Sequence, residues 1–295
     1  MLEGIFLPIP TPYINEEVAC DKLAENISKW NKTETCGYVV FGSSGESAFL
    51  TLDEKVQVIK IVKDSALPEK KIIAGTGSDS IKVTIYLTNE SAKIGADAAL
   101  VLTPSFYKAK MNHRAFIDYF CTVADNSEIP IIIYNVPKFT GVKIDPNTVA
   151  ELSEHKNIIG IKHSSENLGQ FAEIIHKTAD DFYNIVGNAS TLYAGLCLGG
   201  CGGILALANI APDKCVKIQR SFNEGNLKES LHLQMQLLDA NKAITTKYGI
   251  AGLKASLDLL GYYGGIPRSP LSPLNKIELE DLKNILEKAQ ILKID

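Results

Sequence analysis

The sequence predicts an α/β protein of the closed (β/α)8, or TIM-barrel, class with a C-terminal helical appendix, and three observations carry that reading. Short apolar, β-rich runs recur along the chain, each followed by a longer stretch with helical spacing, the alternation expected of parallel βα units. Eight such units can be read. No linker or low-complexity stretch interrupts them, which fits a closed barrel better than an open, doubly wound sheet.

The strands are expected at Gly4 to Ile9, Gly37 to Phe41, Lys71 to Gly75, Ala98 to Leu102, Pro130 to Tyr134, Ile158 to Lys162, Phe182 to Val186 and Gly203 to Leu207. Most are near-continuous Val, Ile, Leu and Ala, as strands covered on both faces require. Between them, Asp53 to Lys63 and Thr84 to Ile94 place apolar residues at i, i+3, i+4 and i+7, which makes one buried helix face. Thr51 followed by Glu54 offers a capping box for the first of these helices. After Phe222 the strands stop, and Leu227 to Lys242, Leu253 to Leu260 and Leu279 to Leu292 read as helices. Breakers at Gly261 to Pro267 and Pro270 to Pro273 set the last one apart. Residues 1–222 are therefore assigned to the barrel and 223–295 to a helical extension packed on it.

Composition narrows the function classes. A chain of 295 residues, 45% hydrophobic and 22% charged, reads as a soluble globular protein with a sizeable core. Thirty Lys and Arg against 34 Asp and Glu give a net charge of -4, and the basic residues are scattered, which weighs against nucleic acid as a partner. Six cysteines without a Cys-x-x-Cys pair point to a reducing compartment. No apolar run approaches the ~20 residues that span a bilayer, and no signal-peptide core opens the chain. The expected location is cytoplasmic, or mitochondrial if a targeting segment has been removed.

Reactive groups of such a barrel come from the C-terminal ends of its strands. In Ile158-Ile-Gly-Ile-Lys162, alternation puts Ile158, Gly160 and Lys162 on one face, so that a lysine points into the barrel. Burial favours the neutral amine, which can attack a carbonyl and form a Schiff base; the alternative is a strand-end lysine reaching solvent. Tyr134 ends its strand on the face of Ile132, where a phenol can move protons; the alternative is a core tyrosine. Gly42-Ser43-Ser44-Gly45-Glu46 combines tight-turning glycines with hydroxyls that can hold a carboxylate. The five histidines form no metal-like grouping, and His163, next to Lys162, faces away from the barrel interior.

Taken together, Gly42 to Glu46, Ala74-Gly-Thr-Gly77, Gly95-Ala-Asp97 leading to Thr103-Pro104, Tyr134-Asn-Val-Pro137 with Thr140-Gly141, Gly160-Ile-Lys162, and Gly202-Gly-Ile204 with Ala208-Asn209 resemble, nearly end to end, the class I aldolases that include dihydrodipicolinate synthase and N-acetylneuraminate lyase. The resemblance implies Lys162 as Schiff-base lysine, Tyr134 as proton-relay tyrosine, Ser43 and Ser44 as the pyruvate-carboxylate loop, and Gly187 and Ile204 as pocket lining. It implies no cofactor other than the covalent imine on Lys162, no metal, a small 2-oxo acid as substrate, and a homotetramer built as a dimer of dimers.

Departures from the two best-known activities then suggest a subfamily. Phe139 stands where dihydrodipicolinate synthase has an arginine for the second substrate's carboxylate, and Gly187-Asn-Ala-Ser190 lacks the acidic residues with which the lyase binds sugar. Phe49-Leu-Thr51, His176-Lys-Thr178, Leu205 to Asn209, Gly249-Ile-Ala-Gly-Leu-Lys254 and Gly261-Tyr-Tyr-Gly-Gly265 are similar to 4-hydroxy-2-oxoglutarate aldolase, in which the residue at Ser164 faces the distal carboxylate. The expectation is therefore cleavage of 4-hydroxy-2-oxoglutarate to pyruvate and glyoxylate, with 2-keto-3-deoxy sugar acid cleavage or a dihydrodipicolinate synthase-like condensation as alternatives. Ser44 replaces an amide side chain of that aldolase, and Phe106 replaces a relay tyrosine of many relatives, leaving Tyr107 or Ser43 to supply the missing hydroxyl. A reading from another class is a non-catalytic 2-oxo-acid sensor.

Overall fold

The computed structural model describes residues 2–292. Eight parallel strands close into a barrel in sequence order: β1 (Gly4–Pro8), β2 (Gly37–Val40), β3 (Lys71–Gly75), β4 (Ala98–Leu102), β5 (Ile131–Asn135), β6 (Ile158–His163), β7 (Tyr183–Val186) and β8 (Gly202–Ile204), the last pairing with the first. A two-residue hairpin, Tyr13–Ile14 with Glu17–Val18, lies outside the barrel.

The strand ends differ from expectation for local reasons. β2 stops at Val40 because Phe41 turns to φ 57°. β5 starts after Pro130, which has no N–H for the ladder. β8 ends at Ile204, where Leu205 leads into the one-turn helix Ala206–Asn209. In β6 the pairing with β5 slips between Ile131 and Ile132, so Ile158 faces the helices rather than sharing a face with Gly160 and Lys162.

Side chains pointing inward, among them Phe6, Val39, Ile73, Leu100, Ile132, Ile185 and Ile204, fill the barrel. Their neighbours of opposite parity, such as Ala99, Val101, Ile133 and Ile161, pack outward against helix residues Phe116, Phe120 and Val149. The helix after β2 spans Leu52–Ser65, and both halves of the Thr51–Glu54 capping box are formed. The next, Ile81–Ile94, starts on the Ser80 cap and ends on Gly95 at φ 104°.

Beyond the helix Pro212–Asn223, the expected single helix over 227–242 is two, Leu227–Gln236 and Leu238–Lys242, followed by a π turn at Ala243–Lys247. Gly249–Leu259 and Lys276–Lys288 are the last helices among the described residues. No described helix is long and apolar enough to cross a membrane.

Candidate active site

Tyr134 and Lys162 are register partners on β5 and β6, at the C-terminal ends of their strands. Lys162 is 3% exposed, and its Nζ lies 4.3 Å from the centroid of the Tyr134 ring. Two residues earlier, a Cβ on Gly160 would stand 2.5 Å from the Tyr183 carbonyl oxygen, so the glycine there answers the close approach of β7.

The Tyr134 hydroxyl meets a second hydroxyl, that of Ser43, at 3.3 Å. Ser43 opens a one-turn helix, Ser43–Gly45, whose fold is set from several sides. Gly75 leaves room for the Phe41 carbonyl, which would lie 2.4 Å from a Cβ there. Thr11 Oγ1 donates to the Gly45 carbonyl at 2.8 Å, and the Glu46 amide donates to the Ser43 carbonyl at 3.3 Å. Ser44 follows in the same turn, half-buried.

Of the remaining expected site residues, Ile204 is fully buried in the interior cluster that holds Tyr134. Ser164 and Gly187 meet just beyond the ends of β6 and β7: Ser164 Oγ donates to the Gly187 carbonyl at 3.3 Å, and a Cβ on residue 187 would collide with that hydroxyl. Ser164 therefore spends its hydrogen within the chain. Tyr107 is not brought in. It is 71% exposed and meets Phe106 edge-on, ring centroids 5.1 Å apart, so the hydroxyl beside Tyr134 within one chain is that of Ser43.

Phe139 sits in the short helix Pro137–Thr140, 63% exposed, and the neighbouring Lys138 donates to the Thr245 carbonyl at 2.7 Å. Lys108 Nζ lies against Gly141, 2.8 Å from where a Cβ would stand.

His163 lies on the opposite face from Lys162, stacked on Phe171 with centroids 5.4 Å apart. Asn135 Nδ2 donates to its Nδ1 at 3.1 Å, and burial pushes the imidazole down to about 4, which keeps it neutral near pH 7. Among the described residues, no three His, Cys, Asp or Glu side chains group as a metal site. Sequence reasoning missed one element beside the site: Glu46, next to the Ser43–Gly45 turn, forms a buried ion pair with Lys254. The available signal was a lysine inside the apolar helical stretch Gly252-Leu-Lys-Ala-Ser-Leu257.

An amine, a phenol and a serine hydroxyl at the mouth of a (β/α)8 barrel define the architecture of a class I aldolase. The model of the dihydrodipicolinate synthetase family matches residues 1–289, and the chain belongs to that family. Relatives include the 4-hydroxy-tetrahydrodipicolinate synthases of Methanothrix thermoacetophila, 36% identical over 100% of this chain and 99% of the relative, and of Archaeoglobus fulgidus, 34% identical over 99% and 100%. Among solved structures, dihydrodipicolinate synthase from Aquifex aeolicus superposes with a TM-score of 0.94 at 30% identity, covering 99% of this chain and 100% of the other. The Escherichia coli K12 family member YagE, solved in complex with pyruvate, gives 0.93 at 26% identity, covering 99% of each chain.

These relatives correct the expected assignment to 4-hydroxy-2-oxoglutarate aldolase: at 34–36% identity over full length they are synthases. The structure gives a physical reason for the misreading. The appendix segments that suggested the aldolase are shaped by packing. Tyr262 stacks on Trp30 at 5.2 Å, a Cβ on Gly264 would stand 1.9 Å from the Lys254 carbonyl oxygen, and Lys254 is committed to Glu46. Residues held by such contacts report the fold and carry no information about an aldehyde.

Proposed function

We propose that the chain condenses pyruvate, held as an imine on Lys162, with aspartate semialdehyde, as the name of its synthase relatives implies. The observation that carries this reading is the juxtaposition of Lys162, Tyr134 and Ser43. The Lys162 amine attacks C2 of pyruvate, Tyr134 hands a proton to the departing hydroxyl, and water leaves to give a protonated imine. That imine is the electron sink, so the reaction needs no metal or further cofactor. Loss of a C3 proton yields an enamine, whose C3 attacks the aldehyde carbon while the Tyr134–Ser43 pair delivers a proton to the forming alkoxide. Attack on the imine by water or by the product's own amine frees Lys162.

The hydroxyls of Ser43 and Ser44 take the pyruvate carboxylate, Ile204 and Gly187 wall the pyruvate methyl, and Ser164 holds the β7 loop in place through Gly187. Phe139 cannot clamp the second substrate's carboxylate. Lys138 is engaged by Thr245, so Lys108, against Gly141 in the same rim, takes that role.

Borohydride reduction in the presence of pyruvate, followed by peptide mass mapping, tests the first step. An unmodified Lys162 would sink the mechanism. A substrate panel tests the second: if 2-keto-3-deoxy sugar acids turn over about 100-fold better than pyruvate with aspartate semialdehyde, about 2.7 kcal/mol of transition-state preference lies elsewhere and the substrate is wrong.

A further inference from the structure

The turn that would take the pyruvate carboxylate is followed at once by a buried carboxylate. Glu46, at φ 56°, turns its side chain away from solvent onto Lys254 in the helix Gly249–Leu259, Oε1 to Nζ 2.5 Å, with side chains 1% and 0% exposed. Its other oxygen accepts the Arg268 amide at 2.8 Å. Lys254 also donates to the Ile266 carbonyl at 3.2 Å.

The Lys254 ammonium and the Arg268 guanidinium each lie 4.4 Å from the centroid of the Tyr13 ring. The Arg268 guanidinium forms an ion pair with Glu54 and donates to the Phe49 carbonyl at 2.8 Å, which fixes the far end of the same loop. Residues of the helical appendix therefore clasp the segment from Glu46 to Glu54, while Thr11 holds Gly45 from the barrel side.

We propose that Glu46 and Lys254 are positioning residues for the carboxylate-binding turn, an inference that rests on the imine reading above. Two physical arguments support it. The Glu46 amide donates to the Ser43 carbonyl across the Ser43–Gly45 turn, so a backbone rotation at Glu46 would break the contact that closes the turn carrying the Ser43 hydroxyl. Glu46 also places a negative charge one residue beyond the turn that receives an anion, and Lys254 cancels it at contact distance. A buried ion pair is weak evidence of stabilisation, since apolar replacements are often neutral or better. Its position accounts for it as a device that orients the turn and neutralises its surroundings.

The test compares pyruvate with methyl pyruvate, which offers the same ketone carbon and no carboxylate, in borohydride trapping on Lys162 by the full-length chain. Lys254→Met leaves Glu46 unpaired and raises the pyruvate concentration for half-maximal trapping about 30-fold, while Glu46→Gln/Lys254→Met, with no unpaired charge, raises it about 5-fold. Half-maximal methyl pyruvate changes less than about 2-fold in both, because only the carboxylate interaction is lost.

If the two ketones shift together, or neither shifts, the pair supports only the fold and the inference is overturned. Thermal melting accompanies each variant. Should Lys254→Met fail to fold, the double variant decides on the same comparison. No trapping of pyruvate on Lys162 in the wild type overturns the imine reading and this inference with it, whereas wild-type trapping with unaltered selectivity in the variants overturns this inference alone.

Discussion

The hydroxyls of Ser43 and Tyr134, 91 residues apart in the chain, lie 3.3 Å from each other beside the Lys162 amine. The contact gives the phenol a partner to and from which a proton can pass without any residue from a second chain. Tyr134→Phe keeps the ring face against Lys162 and removes only the relay. It should lower kcat/KM by about 10²–10⁴, the usual contribution of a positioned proton-transfer group. Ser43→Ala, which leaves the phenol in place, should cost about 10-fold. Steady-state kinetics measure both, and a Tyr134→Phe enzyme at the wild-type rate would remove the phenol from the mechanism.

Lys162→Ala should abolish the pyruvate adduct and reduce turnover by at least about 10³-fold, since the imine that serves as electron sink forms on that amine. The same substitution should leave the fold intact and the melting temperature little changed, because Lys162, 3% exposed, makes no ion pair or hydrogen bond among the described residues. Mass spectrometry after borohydride reduction, read with a melting curve, separates loss of the nucleophile from loss of the fold.

How much of this was legible in the sequence depended on whether the controlling interaction is local. The barrel was readable because strands covered on both faces are almost continuously apolar, and Lys162 stood out as a charge at the end of such a run. The slip at Ile158 was not, since a bulge depends on the partner strand's register. The Glu46–Lys254 pair was hidden because it joins a loop of the barrel to a helix of the appendix. The subfamily was misjudged because Tyr262, Gly264 and Lys254, conspicuous as a motif, answer to packing around Trp30 and Glu46.

Two acid-sensitive windows should be separable. Burial holds His163 below its ordinary 6.5, at about 4, so between those values the unfolded chain takes up a proton that the folded chain refuses. Stability from this source is complete above about pH 6.5 and declines as pH falls toward 4. The hydrogen bond from Arg268 lowers Glu54 from 4.5 to about 2, which adds stability present above about 4.5 and lost as pH falls toward 2. Denaturant unfolding at a series of pH values should show His163→Phe flattening the upper window and Glu54→Gln the lower. A wild-type slope left intact in either variant would reassign that window to other groups.

Gly264→Ala should destabilise the chain by about 1–3 kcal/mol or more, because the added Cβ would stand 1.9 Å from the Lys254 carbonyl oxygen and backbone must move to admit it. The shift should also disturb Lys254, so the pyruvate concentration for half-maximal trapping should rise together with the loss in melting temperature. A stability loss with pyruvate binding unchanged would show that the appendix can move without the Glu46 turn.

Lys108 provides the sharpest test of the second substrate. Gly141, at φ 66°, ends the short helix that carries Phe139 and leaves the space against which the Lys108 ammonium rests. A single charge-assisted hydrogen bond to a carboxylate is worth about 1.5–3 kcal/mol. Lys108→Met should therefore raise KM for aspartate semialdehyde about 10-fold or more, with kcat and the pyruvate dependence little changed, since the missing contact binds ground state and transition state alike. Phe139→Arg in that background should restore binding, because a guanidinium in the rim supplies the bidentate contact that the phenyl ring cannot. If Lys108→Met leaves KM for the semialdehyde unaltered, the cation is idle, and the carboxylate of the second substrate is held elsewhere or the substrate lacks one.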